Sequence, residues 1–246
     1  MIYISVHDKI QTIIENLFFK GESTKWSRKI TFIIGNLFVM LFLYTIILFL
    51  ILYTWTGTLY PEGTGYRLDF LGENYIPFVP EMAIFYVFLY FPMVILTMIY
   101  FAFIDEEKGY ALGWAIVVMN VIATIVYIIF PVSTYWWRQE LLANRIEGNF
   151  FADLMYFYYQ NETSFNCVPS MHAGMSTICF FTWYQYYKLK QNFKTKIIAI
   201  LTFIIAIGVV LSTLFVKQHY IIDEITGILL AYIVGRLIFQ KCKSWE

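Results

Sequence analysis

The sequence predicts an all-α integral membrane protein: a six-transmembrane-helix bundle with an N-terminal amphipathic helix and an interfacial helix in the loop before span four. Two observations predict it. First, 60% of the 246 residues are hydrophobic and 14% are charged, against about 25% charged in an ordinary soluble domain. That leaves too few polar groups to cover a globular surface. Second, apolar runs of the length a helix needs to cross a bilayer recur along the chain. Polar or Gly/Pro-rich segments separate them. A formal net charge of zero offers nucleic acid no electrostatic footing. Cys167, Cys179 and Cys242 show neither metal-ligand nor disulfide-framework spacing. The expected composition is therefore one domain over 1–246, with no metal and no cofactor. Its partners are membrane lipids, and nothing in the sequence fixes its oligomeric state.

The elements follow in order. Residues 1–29 form an arm expected on the cytoplasmic side. Within it Ile10, Ile13, Ile14, Leu17 and Phe18 share one helical face, with Lys9, Glu15 and Lys20 off it. That pattern suits a helix lying on a membrane surface, or a short helix packed on the bundle. Span one covers about 30–55. The next segment holds Gly57, Pro61, Gly63, Gly65, Gly72, Pro77 and Pro80, which read as a loop outside the hydrocarbon. Span two is expected over 82–104 with a kink at Pro92. Asp105-Glu106-Glu107-Lys108 is a polar turn, and span three covers 110–130, stopped by Pro131. The long segment that follows predicts an interfacial helix over 138–159, because Leu141, Leu142, Ile146 and Phe150 are roughly helically spaced. Spans four, five and six are expected over 169–187, 197–214 and 219–239. Gly227, Ala231 and Gly235 recur every four residues in the last, as do Gly208 and Ser212 in the fifth. Small residues at that spacing let helices approach closely in lipid.

Six spans place both termini on one side. Of the 17 Lys and Arg residues, 13 fall on that side and four, Arg67, Arg138, Arg145 and Lys217, fall on the other. Basic residues concentrate in cytoplasmic loops. The expectation is a multi-pass cell membrane protein with cytoplasmic termini and with the two long loops, His172 and His219 facing the exterior.

Two of the three histidines open apolar segments on that exterior side. His172 sits in Asn166-Cys167-Val168-Pro169-Ser170-Met171-His172, and His219 is followed four residues later by Asp223. A helix N-terminus offers unpaired N–H groups and partial positive charge, a natural phosphate site. One helical turn would put His219 and Asp223 on one face. The carboxylate could then hold one ring nitrogen and leave the other as a lone pair, which makes the imidazole a nucleophile. His172 could be the partner acid. Arg138 could hold phosphate bidentately, with Ser170, Ser212 and Lys217 as further donors. Each has a plainer reading: a structural histidine pair, a snorkelling Arg138, an interfacial Lys217.

Pro169-Ser170-Met171-His172 resembles the Pro-Ser-x-His motif of the type 2 phosphatidic acid phosphatase superfamily. Ser212, His219 and Asp223 resemble its Ser-x6-His-x3-Asp motif, one membrane hairpin further on. The stretch from Phe130-Pro131 through Arg138 to His172 is similar to the branch that includes inositol phosphorylceramide synthases. The resemblance covers roughly residues 82–240. It implies a six-helix bundle in which His219 is the nucleophile, Asp223 orients it, and His172 protonates the leaving oxygen. It also implies a lipid phosphate substrate. Two cations of the family pattern are replaced here: Pro131 stands where a Lys precedes the motif arginine, and Thr213 stands where an Arg often follows the serine. A phosphodiester carries less charge than a phosphomonoester and needs fewer cations. The resemblance implies a lipid phosphate phosphatase, with a lipid phosphotransferase, whose branch shares such losses of cations, as the alternative. A reading of another class is a non-catalytic transporter or scaffold. A transporter would place charge inside its spans, and here only Asp223, Glu224 and Arg236 fall within them.

Overall fold

The computed structural model describes residues 53–104 and 106–240. The expected N-terminal helix, nearly all of span one, Lys241, Cys242 and Lys243 lie outside the described residues. The described chain is helical, with eight α-helices: α1 Thr54–Gly57, α2 Tyr90–Ile104, α3 Glu106–Ile129, α4 Tyr135–Ala143, α5 Phe150–Asn161, α6 Met171–Lys190, α7 Phe193–Phe215 and α8 Ile221–Phe239.

Among the described residues, three helical stretches are long and apolar enough to cross a membrane: Pro80–Phe101, Ala111–Ile129 and Phe193–Phe215. They correspond to expected spans two, three and five. Their outer faces carry exposed Leu96, Ile125, Ile129, Leu201 and Ile204, as expected of helices bathed in lipid. Helices α6 and α8 cover expected spans four and six but are more polar. Helix α6 carries Ser176, Thr177, Thr182 and Gln185, and α8 carries Asp223, Glu224 and Arg236. Six crossings are thus not shown; three are supported by length and composition.

Several expectations change in detail. Span two starts earlier and in another geometry: a 3-10 turn at Pro80–Met82, then a π-helical segment at Ile84–Leu89, then α2. The disturbance expected at Pro92 lies one turn before it. Pro92 offers no N–H to the Phe88 carbonyl and its ring crowds that oxygen, and the wider π turns absorb the clash. The expected polar turn at 105–108 shrinks, because α3 begins at Glu106. The single interfacial helix expected over 138–159 is two helices, α4 and α5. Gly148 breaks the chain between them at φ +73°, and Asn149 caps α5 by accepting from the Phe151 and Ala152 N–H groups.

Helices α6 and α7 are joined by two residues. Gln191 ends α6 in the left-handed region at φ 47°, and Asn192 starts α7 by accepting from the Thr195 N–H. The main core runs between α2, α3, α6, α7 and α8 through Met98, Phe101, Leu112, Ile116, Ile178 and Val209. A second cluster seats α5 against the start of span two through Ala83, Tyr86, Met155 and Tyr156. A third joins Val132, Trp137, Cys167 and Tyr220. Helices α4 and α5 thus cover the end of the bundle where α6 and α8 begin. The small residues of α8 make close contacts: Gly227 faces the Ser170 carbonyl, and Gly235 faces Ile178 and Phe181.

Candidate active site

Two helix starts meet under α4 and α5. Ser170 caps α6, its Oγ accepting from the Ala173 N–H at 3.2 Å, so Pro169 precedes the helix and is not in its first turn. The Ser170 N–H donates to the Asp223 carbonyl at 2.9 Å, which fixes α6 against α8. His172 is the second residue of α6. His219 precedes α8, which begins at Ile221 after Tyr220 as N-cap. The link from α7 doubles back: the Gln218 and His219 N–H groups both donate to the Thr213 carbonyl. Lys217 takes the left-handed conformation at φ 53° to make that reversal.

This geometry joins the three residues of the motifs. His219 Nδ1 lies 3.3 Å from Asp223 Oδ2, and its Nε2 lies 3.4 Å from His172 Nδ1. The four-residue spacing works as a helix-capping contact and not as one turn of helix. Asp223 Oδ2 also accepts from the Tyr220 N–H at 2.8 Å. One carboxylate oxygen therefore starts α8 and orients the imidazole. Asp223 is fully buried, and among the described residues its Oδ1 has no hydrogen-bond partner. The His172 ring lies against Tyr86 and Tyr90, at centroid distances of 4.6 and 4.8 Å.

His172 and His219 line a cavity of about 70 Å³. Its walls are mostly aromatic, with Tyr53, Tyr86, Tyr90, Phe91, Tyr127 and Tyr158, and it also takes in Asn120, Asn166 and Glu162. Among the described residues no Lys or Arg lines it.

The four expected phosphate donors sit elsewhere. Arg138 is buried, so it does not snorkel. It donates to the Glu162 carbonyl at 2.8 Å and to Gln218 Oε1 at 2.5 Å, with its guanidinium 5.7 Å from the Tyr159 ring centroid. It lines a neighbouring recess of about 300 Å³, to which Glu162 also contributes. Arg138 thereby ties the end of α5 to the residue before His219. Lys217 donates to the Glu73 carbonyl at 2.7 Å and lies 4.8 Å from the Trp137 ring centroid. Burial holds its ammonium below the usual lysine range. Ser212 turns its hydroxyl back to the Val209 carbonyl. Ser170 spends its hydroxyl on the helix cap.

Three residues that sequence reasoning left out contribute. Glu73 is buried; its Oε1 accepts from the Ile221 N–H and its Oε2 from the Leu71 N–H, which ties the loop to the start of α8. Its only sequence signal is an acid in an aromatic loop. Glu162 caps the C-terminal end of α5, four residues after Tyr158. Burial pushes its carboxyl above the usual range, partly offset by Arg138. Cys167 completes a group with metal-ligand chemistry: its Sγ, one His219 nitrogen and one Asp223 oxygen lie within 4.8 Å of one another. Burial pushes that thiol well up, and Asp223 adds to the effect, so it is a poor ligand as it stands.

Residues 71–237 match the model of the PAP2 superfamily. No curated protein and no solved structure matches. The match spans about two thirds of the chain and takes in both histidines and Asp223, without selecting a branch within the superfamily. The chain is a membrane protein belonging to the PAP2 superfamily.

Proposed function

We propose that the protein is a lipid phosphate phosphatase that works through a phosphohistidine at His219, at the extracytoplasmic face of the cell membrane. The observation that carries the proposal is the Asp223–His219–His172 chain opening into one cavity. Asp223 holds the Nδ1 proton of His219, which leaves a lone pair on Nε2. That nitrogen attacks phosphorus, and the bond from phosphorus to the lipid oxygen breaks. Protonated His172 gives its proton to the departing oxygen. Water then attacks the phosphohistidine, the P–N bond breaks, and His172 takes the proton from that water. Substrate has to enter between the two rings, since reacting atoms need a separation of roughly 3–3.5 Å. The test is phosphate release from lipid monophosphates and pyrophosphates by the purified protein. Turnover by the wild type and none by His219→Ala or His172→Ala is expected. Near-normal turnover by His219→Ala sinks the mechanism.

A second reading has its own support. The walls around the histidines hold no Lys or Arg among the described residues, which suits a singly charged phosphodiester better than a phosphomonoester dianion. In that case a lipid hydroxyl replaces water in the second step and the protein is a phosphotransferase, as in the inositol phosphorylceramide synthase branch. Label that moves only onto an added lipid alcohol, with no phosphate release, decides for the transferase.

A further inference from the structure

We propose that the histidine cavity selects a lipid phosphodiester whose headgroup ends in an alkylammonium, with Glu162 and the surrounding tyrosines holding the cation. This rests on the phosphohistidine reading and names the substrate class for the same site, on its diester side.

Three observations carry the inference. The first is the charge of the walls. A cavity built for a bare phosphate dianion would be lined by Lys or Arg, which offer charge-assisted hydrogen bonds. Among the described residues, the one charged side chain in the wall apart from the histidines is that of Glu162. An acid beside a phosphate site repels the phosphate unless the same ligand also brings a positive charge. The second is the state of that acid. Arg138 donates to the backbone carbonyl of Glu162. No hydrogen bond or ion pair is made by the Glu162 carboxylate among the described residues. A half-buried carboxylate that makes no direct contact and is only partly offset by the nearby Arg138 charge is costly, and an incoming cation offsets that cost. The third is the aromatic wall. Tyr86 and Tyr90 flank His172, and Tyr158 meets Tyr86 edge-on with centroids 6.0 Å apart. Tyr158 lies one helical turn before Glu162. Aromatic rings grouped with an acid are the chemistry that recognises quaternary and primary ammonium groups.

A belt of interfacial tyrosines has a plainer use, which is to sit among lipid headgroups. That use does not require the rings to converge on a cavity holding both histidines, and it leaves Glu162 unexplained. With the ammonium at Glu162, the phosphate two carbons away lies toward His172 and His219. The acyl chains leave through the apolar part of the wall near Phe91.

The experiment presents the purified full chain in mixed micelles with four donors: phosphatidylcholine, phosphatidylethanolamine, phosphatidylglycerol and phosphatidic acid. Products are read by mass spectrometry. The expected result is faster consumption of the two ammonium donors, abolished in His219→Ala. Glu162→Gln should raise KM for them by about ten- to a hundredfold, the value of a charged contact, with a smaller change in kcat. Should that variant fail to fold, Tyr158→Leu reads the same contact. Preference for phosphatidic acid or phosphatidylglycerol overturns this inference and leaves the phosphohistidine reading standing. If no donor is consumed, that reading fails, and calorimetry with phosphocholine and with inorganic phosphate judges the cavity alone. Phosphocholine binding that Glu162→Gln weakens upholds the inference. Equal binding by both proteins, tighter binding of inorganic phosphate, or no binding overturns it.

Discussion

Gly227→Ala tests how the two helix starts set the distance between the histidines. A Cβ at position 227 would lie 2.2 Å from the Ser170 carbonyl oxygen and 3.2 Å from the Ala173 Cβ. The oxygen is backbone and is already held by the Gly174 N–H at 3.0 Å, while the Ser170 N–H is held by the Asp223 carbonyl. It cannot rotate away. Relief to an ordinary contact requires α6 and α8 to part by roughly 1 Å, a displacement that can cost on the order of 10²-fold in rate when it reaches reacting groups. The stability effect is smaller. Overpacking costs about 1–3 kcal/mol, while replacing a mid-helix glycine by alanine returns about 1 kcal/mol. Activity should therefore fall much further than stability. The assay pairs turnover of whichever donor the wild type consumes with a thermal melt. Gly174→Ala is the comparison, because its Cβ would press chiefly on the flexible end of Met119 at 2.9 Å, and its loss should be only a few-fold. Wild-type kcat in Gly227→Ala would refute the idea that this contact sets the spacing of His172 and His219.

Other outcomes follow from the site. Asp223→Asn keeps an oxygen for the Tyr220 N–H but removes the charge that orients His219, so kcat should drop about 10²–10⁴-fold while the protein still folds; a drop below tenfold would count against the orienting role. One imidazole has to act neutral and the other protonated, so the rate profile should be bell-shaped with limbs belonging to the pair; a flat profile from about pH 5 to 9 is incompatible with that pairing. Burial raises the Glu162 carboxyl from its ordinary 4.5, so the folded protein holds the proton more tightly than the unfolded one. The stability this confers is complete below that value and is lost as pH rises through the raised one. Glu162→Gln should consequently melt higher than wild type at neutral pH, with the gap closing toward pH 4.5; a gap that does not change with pH contradicts this. Chelators should leave turnover unchanged, because the Cys167 thiol beside His219 and Asp223 is held protonated by burial; loss of activity to chelator with recovery on adding magnesium would point to another chemistry.

Much of this architecture could be read from the sequence, and the misses share a cause. Apolar runs mark helices whatever their partners, so expected spans two to six all emerge as helices within a few residues of their expected ends. That His172, His219 and Asp223 would meet in space was readable from short spacings within two motifs. The fate of Arg138, Lys217, Ser170 and Ser212 was not. A cation or hydroxyl near a phosphate motif looks the same in sequence whether it faces a ligand or holds a loop. Here Arg138 is committed to Gln218 and the Glu162 carbonyl, and Lys217 to the Glu73 carbonyl. Those contacts join residues far apart in the chain, which no local pattern encodes. The split between α4 and α5 was missed because the apolar spacing continues through residues 144–149, although α4 has already ended at Ala143.

The π-helical segment Ile84–Leu89 has a consequence for insertions and deletions. Relative to an α-helix, such a segment behaves as one extra residue. Deleting a single residue there would restore α geometry and leave the helix on either side in phase. Deleting one residue of α2 just after Tyr90 would instead turn everything before it by about 100° about the axis. Tyr86 and Tyr90 would swing off the His172 ring, and Phe85 would leave the surface of Gly208, where its ring now sits. The number of residues in α2 is thus fixed more strictly than the number in the segment before it. The neighbouring surface loop at 144–149 carries no such count.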